Sequence, residues 1–181
     1  MEIKQFLNGA MLLTSTKRTD PRGTTRFLFT KKALKEAGID FYIEDLRVYT
    51  MLEVGTIYGI HFQTDENPMA KLITVIQGSG IDYVVDLRPD SPTYLKWEEN
   101  ELSAENGNVV YVPHGFGHAF LSLEKNTIQV YAADATTTAE TSGKLNYLDP
   151  KIALDFPTDV KVVSPGDQNA PFSAFYTKKN I

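Results

Sequence analysis

The sequence predicts a mainly β fold, a sandwich or barrel with short peripheral helices. Three observations carry that prediction: short runs rich in β-branched and aromatic residues between Phe41 and about Tyr131, turn-forming residues between those runs, and no helical segment interrupting them. With 181 residues, 42% of them hydrophobic, the chain can bury one substantial core. Its length suits a single domain over 1–181, with 1–40 as an N-terminal arm and helix and 135–181 as a C-terminal extension packed on the barrel.

Residues 1–16 contain two short strand-like pieces, Ala10-Met11-Leu12-Leu13-Thr14 being the clearer. They read as an arm or edge strand ahead of the turn-rich Thr19-Asp20-Pro21-Arg22-Gly23. Thr30 to Gly38 is the one convincing helix: Thr30 caps its start through a side-chain oxygen, and Gly38 tolerates the left-handed conformation that ends it. Five strands follow by composition, at residues 57–62, 71–76, 82–87, 108–112 and 127–131. Beyond Thr136 the chain is richer in Thr, Pro and Gly, with a short helix expected near 149–153 and a loop at Ser164-Pro165-Gly166-Asp167.

The net charge of −5, from 23 acidic and 18 basic residues, comes with no long basic run, so nucleic acid is not an expected partner. A small anion remains compatible if a few Arg or Lys residues converge on it. There is no apolar run of the ~18 residues that a membrane helix needs, and the N-terminus lacks the order of a signal peptide. The chain therefore reads as cytoplasmic, with no membrane partner. Zero cysteines exclude disulfides, thiolate metal ligands and a cysteine nucleophile.

Only three histidines are present: His61, His114 and His118. Gly107-x5-Pro113-x-Gly115-x2-His118 fits the second half of the cupin pattern, in which Pro and Gly shape a turn that aims a His into a barrel. The first half would supply two His and a Glu to a metal; here it supplies His61, with Gln63 where a second His would stand. So few ligands make a transition-metal site improbable, and no cofactor is expected. His114 reads as a solvent-facing turn residue, and Asp86 with Arg88 as a structural ion pair. Taken singly, His61 reads as a core histidine or a base, Lys71 as an edge-strand lysine and Tyr131 as a half-buried strand aromatic. His118 either satisfies buried polar groups or supports a site.

A more specific likeness comes from the order of several blocks. Gly59-Ile60-His61-Phe62-Gln63, Lys71-Leu72-Ile73-x-Val75-x2-Gly78, Val85-Asp86-Leu87-Arg88-x2-Ser91-Pro92-Thr93-Tyr94-x2-Trp97, Leu102-Ser103-x2-Asn106 and Val112-Pro113-x-Gly115-Phe116-Gly117-His118-Ala119-Phe120 succeed one another from about Gly55 to Phe120. Their order and spacing resemble the dTDP-4-dehydrorhamnose 3,5-epimerase family. Asp20-x-Arg22-Gly23 and Tyr147-x-Asp149-Pro150 extend the likeness to both ends, with Tyr147 standing where the family has tryptophan. The resemblance implies a cupin-like double-stranded β-helix, or jelly-roll barrel. It also implies a homodimer acting without metal on a nucleotide-diphosphate keto-sugar in deoxysugar biosynthesis.

In that chemistry a 4-keto group acidifies the neighbouring C–H bonds; a base forms an enolate, and an acid returns a proton to the opposite face at C3, C5 or both. By position His61 matches the base, Lys71 the cation beside the enolate oxygen and Tyr131 the acid, with Asp167 as the carboxylate orienting His61. Arg22, Gln63, His118, Tyr58 and Arg47 are the candidate substrate-binding residues. The chain also departs from the family. Tyr58 replaces an arginine suited to gripping phosphate, with Arg47 expected to compensate. An upstream Gln-x-Asn element is absent near 43–47, Thr25 and Phe27 replace an aromatic and an acid, and Ala132-Ala133-Asp134 follows Tyr131 where Lys is common. These changes fall on recognition rather than proton transfer. They leave open a related 3,4-ketoisomerase, a metal-dependent cupin using His61, Gln63 and His118, and a sugar-binding cupin without turnover.

Overall fold

The structure, a computed structural model, describes residues 1–175. Two antiparallel sheets face each other. The larger contains β1 (Glu2–Phe6), β2 (Ala10–Thr14), β5 (Asp45–Met51), β7 (Lys71–Gln77), β10 (Asn108–Val112) and β12 (Thr127–Ala133), in the order β1-β2-β10-β7-β12-β5. The smaller is ordered β13-β6-β11-β8-β9, from β6 (Ile57–Gln63), β8 (Ser79–Asp86), β9 (Trp97–Ser103), β11 (Phe116–Ser122) and β13 (Ser142–Lys144). A separate hairpin, β3 (Thr16–Asp20) with β4 (Gly23–Phe27), carries almost wholly exposed side chains. The fold is the cupin-like barrel that the strand pattern and motif order predict.

Period-two alternation separates inside from outside. The space between the sheets is filled by Ile73, Val75, Val110 and Val112 from the larger sheet and by Val84, Phe116 and Phe120 from the smaller. Each such full burial contributes about 2 kcal/mol. Both outer faces are also covered. Leu34 and Ile39, in and after α1 (Lys31–Glu36), pack on Leu13, Leu72 and Val109, while Leu145, Tyr147 and Ile152 of the C-terminal segment cover Ile60, Tyr83 and Val85. The Thr30 cap forms as expected, its hydroxyl oxygen accepting from the Ala33 amide.

Asp86 and Arg88 form the expected structural pair. Buried Asp86 accepts from Arg88 Nε at 2.9 Å and Nη2 at 2.7 Å, while Nη2 also donates to the Leu7 and Asn8 carbonyls and ties the β1–β2 turn to the barrel. Several local readings change, and six strands, β3, β4, β5, β9, β11 and β13, add to those expected from composition. Residues 149–153 form a turn, because Asp149 takes the Lys151 and Ile152 amides on its side chain and Ala153 turns to φ +52°. The segment read as a loop holds the short helix α2 (Pro165–Gln168), capped by Ser164 with Pro165 at its first turn. Strand β9 was missed because Glu98, Glu99 and Glu101 disguise an edge strand as a solvated loop.

Candidate active site

A cavity of about 250 Å³ lies between the sheets. Strand parity decides which side chains reach it. Along β5, Leu46 and Val48 face solvent at 62% and 63% exposure, which turns Arg47 and Tyr49 inward; on β12 the same alternation brings in Gln129 and Tyr131. Strand β6 breaks the rule, since both Tyr58 and His61 line the cavity three residues apart. Opposite them, His118 pairs with His61 but Phe120 pairs with Tyr58, so β6 carries one extra residue, a bulge at Gly59-Ile60. Gly59 has φ +119°, and a Cβ there would lie 2.5 Å from the His118 carbonyl oxygen, so glycine is required.

The bulge hands His61 to α2. Its Nε2 lies 2.8 Å from Asp167 Oδ1, and because an ionised carboxylate only accepts, Nε2 carries the proton and Nδ1 is left with the lone pair. Asp167 is 2% exposed. Burial works to raise its carboxyl, but hydrogen bonds from His61 and Lys144 outweigh this and hold it well below the usual carboxylate range. Lys144 on β13 donates to the same Oδ1 at 2.7 Å.

Lys71 is 1% exposed, its Nζ 3.5 Å from the His61 carbonyl oxygen. Burial pulls its ammonium down to about 8, partly resisted by Asp82 and Asp134 and assisted by Arg47. His118, buried at 6% exposure, holds Asp82 Oδ2 through Nδ1 at 3.1 Å; burial pushes its imidazolium down against the pull of Asp82. Burial raises the Tyr131 hydroxyl well above the usual phenol range, with Tyr49 adding to the effect. Among the described residues that hydroxyl donates to the weak acceptor Met69 Sδ at 3.5 Å, and the Arg47 guanidinium lies 5.8 Å from the ring centre. The cavity thus unites a carboxylate-backed imidazole, a buried ammonium and a protonated phenol, a set able to take, stabilise and return a proton.

The sequence model of the dTDP-4-dehydrorhamnose 3,5-epimerase family matches residues 4–174. The chain belongs to that family. It is 34% identical over 161 residues to the dTDP-4-dehydrorhamnose 3,5-epimerase of Sinorhizobium fredii, covering 88% of this chain and 83% of that protein. Among solved structures, NovW, a 4-keto-6-deoxy sugar epimerase of Streptomyces spheroides, superposes with a TM-score of 0.92 at 31% identity, covering 96% of this chain and 88% of NovW. The Bacillus anthracis dTDP-4-dehydrorhamnose 3,5-epimerase, solved with TDP and PPi bound, superposes with a TM-score of 0.90 at 34% identity, covering 93% of this chain and 97% of that one.

Eight of the nine candidate site residues nominated from the sequence meet at this site: His61, Lys71, Tyr131, Tyr58, Gln63, His118 and Arg47 line the cavity, with Asp167 directly behind His61. Arg22 does not. It sits in the β3–β4 turn with its side chain 91% exposed, paired to Asp20 at 2.7 Å. The Gln63 amide is steered by Ser142 and Thr141, and Arg47 is held by Asp45 and by Thr137 at 2.7 Å. His114 is half-exposed but not idle, its Nε2 lying 3.0 Å from Asp134. Sequence reasoning missed Tyr49, Asp82, Gln129 and Lys144. The first three are betrayed only by strand register, and Lys144 only by the pairing that places β13 beside β6. Among the described residues, no group of three or more His, Asp or Glu side chains is arranged to hold a metal.

Proposed function

We propose that the chain epimerises a nucleotide-linked 4-keto-6-deoxy sugar at C3, C5 or both, by metal-independent proton transfer. The observation that carries this reading is the convergence of the His61–Asp167 pair, the Lys71 ammonium and the Tyr131 hydroxyl on one cavity. His61 removes the proton beside the ketone. The C–H electrons form a carbon–carbon double bond, the carbonyl π electrons move to oxygen, and Lys71, itself 1% exposed, stabilises that oxyanion. When the enolate collapses, Tyr131 delivers its proton to the opposite face, and solvent later restores the phenol and discharges the imidazolium.

The substrate class is supported by the relatives named above. One side of the site is this chain's own: Tyr58, its ring 5.3 Å from that of Tyr49, stands at the position where the family resemblance implies an arginine, with Arg47 as the nearby cation. A homodimer fits the outer row of edge strand β5, where Leu46 and Val48 are exposed beside Ile43 and Leu52. In such a pair the β3–β4 turn would offer Arg22 to the other copy's substrate. The test is a thermal-shift screen of dTDP-, CDP-, GDP- and UDP-linked 4-keto-6-deoxy sugars, with NMR of the product from each ligand that binds. Inverted configuration at C3 or C5 supports the reading. A carbonyl moved to C3 makes the enzyme a ketoisomerase, and binding without product makes it a binding protein.

A further inference from the structure

The position of Lys144 says something further about the base. β13 lies at the edge of the smaller sheet with Lys144 in register with His61, and Leu145 locks the next residue by exchanging backbone hydrogen bonds with Ile60 at 2.9 and 3.1 Å. Gly143 allows the strand to lie close, since a Cβ there would come within 2.2 Å of the Phe62 ring. Across the gap Gly166 leaves room for the ammonium, its own Cβ position falling 3.1 Å from Lys144 Nζ. The lysine ends 2.7 Å from Asp167 Oδ1, the oxygen that His61 Nε2 also contacts at 2.8 Å.

From this geometry we infer that Lys144 is a positioning residue which weakens the hold of Asp167 on the His61 imidazolium and so keeps His61 in its neutral, proton-accepting form to lower pH. The inference deepens the proposed role of His61 and rests on it. A carboxylate shared with a cation stabilises a second cation less, because part of its charge is already compensated and the two donors repel each other. Lys144 also fixes the carboxylate, so the imidazole keeps its tautomer without being over-stabilised as a cation. The other charged groups around His61 stay constant when Lys144 alone is changed. Lys71 on β7 and Arg47 on β5 bear on it as cations, and His118 on β11 faces it with its ring held by Asp82. The neighbouring Tyr58 and Tyr131 are phenols.

The test is NMR titration of the histidine rings in the substrate-free protein, with His61 assigned through His61→Asn. Lys144→Met is expected to move the His61 midpoint up by about half a pH unit or more, a modest shift because the lysine is partly solvated. Lys144→Arg, which keeps the charge, should titrate like the parent. Unchanged His118 and His114 titrations show that Lys144→Met is folded, and if it is not, Lys144→Gln replaces it. A His61 midpoint in the folded, uncharged variant equal to the parent's, or shifted down, overturns the inference. With a substrate in hand, the acid limb of the kcat/KM profile, which reports the free enzyme, should move up by the same amount. A shifted titration in a protein that turns over no keto-sugar keeps the electrostatic inference and sinks the epimerase reading instead.

Discussion

Lys71 occupies a site that opposes its own charge. Its ordinary value of 10.5 is brought down to about 8 by complete burial, a difference worth about 3 kcal/mol against the charged form. Between these two values the unfolded chain binds more protons than the folded one, so this group makes the protein more stable as pH rises from about 8 towards 10.5. Lys71→Met should therefore raise stability at pH 7 by about 1–3 kcal/mol in urea titrations and should lack the parent's rise in stability above pH 8. The same variant should lose about 100-fold or more in kcat, because the oxyanion loses its cation. Equal stability of the two proteins across this range would contradict the account. Asp167→Asn should lower kcat by about 100- to 10,000-fold with little change in KM, measured over a range of substrate concentrations, since the amide no longer supplies the charge that stabilises the imidazolium or an acceptor-only partner that fixes its tautomer.

Strand β6 is the element on which the site depends. Its bulge lets Tyr58 and His61 share a face, and Gly59 is the residue that permits it. Gly59→Ala is expected to cost about 2 kcal/mol or more in chemical denaturation and to abolish turnover together, because the added methyl meets the β11 backbone. A stable, active Gly59→Ala would show that the bulge is incidental. At this scale much was readable: the strands at 57–62, 71–76, 82–87, 108–112 and 127–131, the Thr30-capped helix and the motif order all appear in the structure. Composition hid what pairing alone reveals. β9 looked too acidic to be a strand, β13 too short, and Asp82 and Gln129 reach the interior only because register turns them there. Tyr58 and His61 could not both be placed inward from alternation, since the bulge changes the parity between them.

Across the whole molecule, both barrel faces are covered by the chain's own N- and C-terminal segments, whereas the outer row of β5 and the β3–β4 hairpin project uncovered. Sedimentation is expected to give a dimer, and Leu46→Asp combined with Val48→Asp should shift it towards monomer. A parent protein that sediments as a monomer at micromolar concentration would contradict that assignment. The proposed proton-transfer groups depend on none of this, since His61, Asp167, Lys71 and Tyr131 all come from one chain. The most direct measurement of the central claim is therefore solvent exchange: a 4-keto-6-deoxy nucleotide sugar incubated with the protein in deuterated water and followed by proton NMR. The C3 or C5 proton signal is expected to disappear with the parent and to persist, apart from background exchange, with His61→Ala. Exchange that persists undiminished in His61→Ala would contradict that claim.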